Sequence, residues 1–166
     1  MRKGGRSTGW YAERVRSFAM KPILIIGIGN PSRGDDALGP LLIERLEAHP
    51  LPGVELLSEF QLQVEVALDM QGRQQVVFVD ASLDAAAPFT FTAATAAIDA
   101  SYSSHELSPG ALLHVYRTLF GAAPPAFVLA LRGQAFELGE GLSEAASVNL
   151  EAALAFITRR FSDTSP

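Results

Sequence analysis

At 166 residues, 48% hydrophobic and 19% charged, the chain has the size of one domain and enough apolar content to bury a core without disulfides or structural metal. It contains no cysteine, which excludes thiol proteases, thiolate zinc sites, iron–sulfur ligation and disulfide scaffolds, so any nucleophile or metal ligand must come from oxygen or imidazole. The net charge of −5 hides an asymmetry: residues 1–20 carry five Arg or Lys against one Glu, and the remaining 146 carry eight against seventeen acids, a body that repels a phosphate backbone and argues against nucleic-acid partners.

Residues 1–20 are basic, Gly/Ser-rich and aperiodic, and they stop at Met20, which has the look of an alternative start. The first expectation is a disordered or loosely attached extension, and the second is a basic arm that docks an acidic partner. No run reaches the roughly 18 to 20 apolar residues that span a bilayer, and no basic region leads into an apolar segment with a small-residue cleavage site. The expectation is a cytoplasmic protein without membrane contact.

From Lys21 onward, strand and helix patterns alternate. PILIIG at 22–27 is a continuous β-branched run, which suits a strand covered on both faces. A turn-rich loop leads to a helix over 37–48, with Leu38, Leu41, Leu42 and Leu46 at helical spacing. A short strand at 54–57 and a helix at 63–70 follow, then a buried strand, QVVFVD at 75–80, that ends on an acid. Residues 89–95 alternate as an edge strand does, 108–120 reads as helix, 126–131 as an apolar strand, and 143–161 as a closing helix with Ser143 as N-cap. The order predicts one α/β domain over 21–162. Its expected form is three-layer and doubly wound, a mainly parallel sheet of about five strands with helices on both faces.

In such sheets the ligand crevice lies beyond the carboxyl ends of the strands, where strand order reverses. The loop after the first strand carries Gly27, Gly29, Asn30, Arg33, Gly34, Asp35, Asp36 and Gly39, and the third strand ends at Asp80. Asp35 reads first as an N-cap of the following helix, and Asp36 as an acid beyond what one cap requires. Asp80 after a buried strand has to be solvated by a crevice or paired. The Gly27-x-Gly29 pair invites a dinucleotide reading, but Ser32 stands where a third glycine belongs, and Asp35 and Asp36 would repel a pyrophosphate. These glycines serve better for a tight turn and a close backbone approach. His105, just ahead of a helix, is by itself a surface-loop histidine or a crevice group. With the two aspartates it makes a carboxylate, carboxylate, imidazole set of the kind nickel, zinc or iron accept. His49 and His114 read as surface or structural. His105-Glu106 does not continue into HExxH, because Pro109 holds the second histidine position, and there is no GxSxG elbow.

LIIGIGN at 24–30, RGDD at 33–36 and Gly39, followed by FVDA at 78–81 and SHELS at 104–108, resemble in order and spacing the three motifs of the nickel-iron hydrogenase maturation endopeptidases. The resemblance spans roughly residues 21–160. It implies an endopeptidase that removes the C-terminal extension of a nickel-loaded hydrogenase large-subunit precursor. Asp36, Asp80 and His105 would then contact the nickel, which the substrate supplies, and no nucleotide is expected. Arg33 and Asp35 would shape the loop, with Arg33 either pairing an acid or solvated. Ala37 departs from the glycine common in the family, and the stretch from Ser58 to Leu62 is similar to the branch serving cytoplasmic, NAD-reducing hydrogenases. A non-catalytic nickel chaperone and a Rossmann-like nucleotide-binding enzyme remain the alternatives.

Overall fold

β1 (Ile23–Ile28) is buried at all six positions, as a strand must be when it lies between two others and is covered on both faces. The computed structural model describes residues 20–98 and 107–163. β1 pairs in parallel with β2 (Val54–Glu59) on one side and with β3 (Gln75–Ser82) on the other. β3 pairs in parallel with β5 (Ala126–Arg132), and β4 (Phe89–Ala93) closes the far edge, antiparallel to β5. The sheet order is β2-β1-β3-β5-β4, a mixed sheet in which one edge strand runs against the other four. The reversal has a simple cause. A parallel return needs a crossover of about a dozen residues or more, and the 83–88 connection ahead of β4 is shorter than that.

Because side chains alternate across a strand, the sheet feeds two separate cores. Ile23, Ile25, Val77, Val79, Leu129 and Leu131 pack with Leu38, Leu42, Ile43 and Leu46 of α1 (Leu38–Ala48) and with Leu150, Ala153, Ile157 and Phe161 of α4 (Glu144–Phe161). The alternate set, Leu24, Ile26, Ile28, Val76 and Phe78, packs with Val66 and Ala67 of α2 (Val66–Asp69) and with Leu112, Leu113 and Tyr116 of α3 (Pro109–Phe120). Each large side chain so buried stabilises the fold by about 1.5–3 kcal/mol relative to exposure.

Two helix starts follow cap residues. Ser108 accepts from the Ala111 amide at 3.1 Å, with Pro109 opening α3, and Ser143 accepts from the Ala146 amide at 3.2 Å, as its sequence position predicts. The helix expected over 63–70 is a shorter one. Val66 and Ala67 donate to the carbonyls of Gln63 and Val64, the i→i−3 pattern of tight turns, and only Val66–Asp69 is α-helical. At the amino end of the sheet, the Arg73 guanidinium donates to the carbonyls of Lys21 and Asp69 and pairs with Glu55 at 2.6 Å. No helix among the described residues is long and apolar enough to cross a membrane.

Candidate active site

The carboxyl ends of β1 and β3 stand side by side, in register up to the Gly27↔Val79 pair, so Asp80 lies one residue past that pair. The chain leaves β1 through Gly29, whose φ of +144° is a conformation few other residues adopt. A Cβ there would stand 2.0 Å from the Asp36 carbonyl oxygen, so only glycine lets the loop fold back so closely. Asn30 then donates its amide to Asp36 Oδ2 at 2.8 Å, and Ser32 donates to Asn30 Oδ1 at 2.9 Å. A single 3₁₀ turn, Gly34–Ala37, carries both aspartates into α1. One turn on, Gly39 lies against the backbone of Ile28 and the carbonyl of Val79, which seats the amino end of α1 on both strands. The glycines thus serve close backbone approach, the use the sequence favoured.

This geometry brings the Asp36 turn and Asp80 to adjoining strand ends. Both residues are half-buried. His105 lies outside the described residues. Leu107, two positions later, donates its amide to the Leu62 carbonyl at 3.3 Å, in the loop that leaves β2 at this same end of the sheet. Among the described residues no group of three or more His, Asp or Glu side chains is gathered to hold a metal ion. His49 terminates α1 at the opposite end of the sheet, and His114 is exposed on α3.

Asp35 does something the local sequence did not announce. Neither the 3₁₀ turn nor α1 receives a side-chain cap, so the N-cap reading of Asp35 is corrected. Its side chain turns the other way and is completely buried, at 0% exposure. It accepts from the amides of Gln134 (2.8 Å), Ala135 (3.0 Å) and Ser143 (2.7 Å), and from the Ser143 hydroxyl (2.8 Å). Burial pushes its pKa up, but the donors from Gln134, Ser143 and Ala135 together outweigh that, and the carboxyl ends below its ordinary value of 3.8. The partners lie 99 to 108 residues away, which is why no local pattern reveals them; the doubling of acids at 35 and 36 was the one available sign. Arg33 donates through Nε to the Phe136 carbonyl at 3.0 Å, not to an acid. Gly34 donates to the Glu140 carbonyl and Gly139 to the Ser32 carbonyl, so the loop between β5 and α4 is bonded along the whole aspartate turn.

The chain matches no family model, and no curated protein matches it significantly. Solved structures do match. The hydrogenase maturating endopeptidase HybD from E. coli superposes with a TM-score of 0.70 at 24% identity, over 86% of this chain and 93% of that one. The [NiFe] hydrogenase maturation protease HycI from Thermococcus kodakarensis KOD1 has a TM-score of 0.65 and 27% identity, over 92% of this chain and 99% of that one. An endopeptidase from Escherichia coli solved in solution has a TM-score of 0.66 at 23% identity, over 82% and 90% of the two chains. The chain thus shares its fold, over most of its own length and nearly the full length of each of theirs, with solved structures of hydrogenase maturation endopeptidases.

Proposed function

We propose that this chain is an endopeptidase that acts in the cytoplasm and removes the C-terminal extension of a nickel-loaded hydrogenase large-subunit precursor, with Asp36, Asp80 and His105 meeting the nickel that the precursor carries. The observation that supports this reading best is the meeting of the Asp36 turn and the Asp80 strand end at the carboxyl edge of two neighbouring parallel strands. Oxygen and imidazole donors with vacant positions between them suit an ion whose remaining ligands come from another protein. Binding then requires the ion, so the enzyme reads its cargo before cutting.

The nickel is part of the substrate, and it supplies a positive charge that polarises the scissile carbonyl or lowers the pKa of a bound water. The chain supplies the rest. Asp36, with Oδ2 tied to the Asn30 amide, keeps a fixed direction, and Asp36 or Asp80 takes the proton of the attacking water as general base. With no cysteine in the chain, hydrolysis does not pass through a thioester.

The test is incubation of the purified protein with nickel-loaded and with metal-free precursor, reading tail release by mass. Only the loaded precursor should be shortened, and Asp80→Asn and His105→Ala should each abolish processing in a folded protein. Equal cleavage of both precursors would overturn the cargo-reading step. Tight nickel binding by the chain alone, without tail release, would favour a chaperone.

A further inference from the structure

We propose that Asp35 is a positioning residue for this reaction: it clamps the loop between β5 and α4 onto the 3₁₀ turn and thereby sets the direction in which Asp36 presents its carboxylate. The proposal rests on the function proposed above, since Asp36 is there assigned to the nickel of the precursor.

The geometry separates the two adjacent acids completely. A carboxylate offers about four lone-pair positions, and those of Asp35 meet four donors: the Gln134, Ala135 and Ser143 amides and the Ser143 hydroxyl. Nothing remains for an ion, and at 0% exposure none could arrive. Asp36, half-buried, faces the other way and touches the β1 loop through Asn30. The turn is therefore bonded to two different segments by two consecutive side chains.

The clamp continues on both sides. The Ser143 hydroxyl donates to Asp35 and accepts from the Ala146 amide, tying the turn to the start of α4. The Asp35 amide donates back to the Ala135 carbonyl at 2.7 Å, and a Cβ on Gly34 would stand 2.4 Å from that same oxygen, so backbone meets backbone along this seam. With Asp35 in place the turn is tied to this loop by four side-chain hydrogen bonds in addition to its backbone ones. If its four bonds are lost, the turn keeps only its backbone bonds to this loop and the Arg33 contact, and the Asp36 carboxylate is tied directly by the Asn30 amide; a misplacement of about 1 Å in a reacting group can cost roughly a hundredfold in rate.

The experiment compares wild type, Asp35→Asn and Ser143→Ala, well below their unfolding temperatures. Two readouts are used: the amide NMR resonance of Asn30, and the single-turnover rate of nickel-loaded precursor cleavage at saturating enzyme. Asparagine keeps the shape of Asp35 but turns an NH₂ toward donors, and alanine at position 143 removes one donor of the four. The expected result is a shifted Asn30 amide in both variants, larger in Asp35→Asn, with cleavage slowed by about ten- to a hundredfold in Asp35→Asn and by less in Ser143→Ala. A purely structural role for Asp35 would disturb Gln134, Ala135 and Ser143 while leaving the Asn30 amide and the cleavage rate as in wild type, and that pattern overturns the proposal. Should Asp35→Asn fail to fold, an unmoved Asn30 amide in Ser143→Ala overturns it equally. If wild type releases no tail, the proposed function fails, while the Asn30 amide still decides whether Asp35 orients Asp36.

Discussion

The Asn30 amide and the Asp36 carboxylate, six residues apart, are joined by a 2.8 Å hydrogen bond that folds the β1 loop back on itself. The bond occupies Oδ2 with a backbone donor, a partner that does not move with solvent. A half-buried acid in a fixed direction is what ion contact requires, because the cost of orienting it is met during folding and not during binding.

Asp36→Asn should therefore preserve structure and remove function. The asparagine side-chain oxygen can still accept the Asn30 amide, so the thermal midpoint should stay within a few degrees of wild type, roughly the span of 1 kcal/mol. On the proposed function, the charge assigned to the precursor's nickel is gone, and processing of the loaded precursor, followed by mass, should fall by about a hundredfold or more.

Asp35 makes stability depend on acid. Its carboxyl is held below the ordinary 3.8 in the folded chain, so the folded state favours the ionised form. The resulting stabilisation is fully present above about that ordinary value and is lost as pH falls through the lower folded value. In urea titrations over a pH series, Asp35→Asn should lose about 1–3 kcal/mol near neutrality from unsatisfied donors, and its stability should fall less steeply than wild type below pH 3.8. Parallel acid limbs would contradict this assignment.

Gly39→Ala should loosen the helix that carries the site. Its Cβ would stand 2.3 and 2.6 Å from the Ile28 oxygen and nitrogen and 2.8 Å from the Val79 carbonyl, all backbone atoms that cannot step aside. The expected loss is about 1–3 kcal/mol or more in urea unfolding. Gly141→Ala, with nothing within 4 Å of the new methyl, should change stability by no more than about 0.5 kcal/mol.

Arg73→Met separates stability from activity. The guanidinium is buried at the amino end of the sheet against the Lys21 and Asp69 carbonyls and Glu55, far from the aspartate turn. Losing it removes the donor of two part-buried carbonyl bonds and the partner of Glu55, and unfolding should become easier by about 1–3 kcal/mol. Precursor cleavage measured below the lowered midpoint should match wild type, and a matching loss of cleavage would mean the two ends of the sheet are coupled.

Much of this architecture was legible in residue order. The unbroken apolar run at 23–28 is buried at every position because a central parallel strand has no wet face, and the alternation from Phe89 marks an edge strand, whose antiparallel sense only the structure gives. Ser143 caps α4 because a hydroxyl three residues before a free amide needs no distant help. The approach of the Asp36 turn to Asp80 could be anticipated too, because they follow and end strands that a doubly wound order makes neighbours.

What tertiary structure alone decided is which of the two neighbouring acids does what. Asp35 resembled a helix cap in its own segment, yet its four donors come from residues 134, 135 and 143, brought in when β5 and α4 pack onto the sheet. The length of α2 was decided the same way, by tight turns that seat Val66 and Ala67 in a core shared with Leu112 and Phe78. Periodicity and caps act over three or four residues and can be read along the chain. The partners of a buried charge are chosen by whatever the fold delivers to it, and that choice exists only once the distant segments have met.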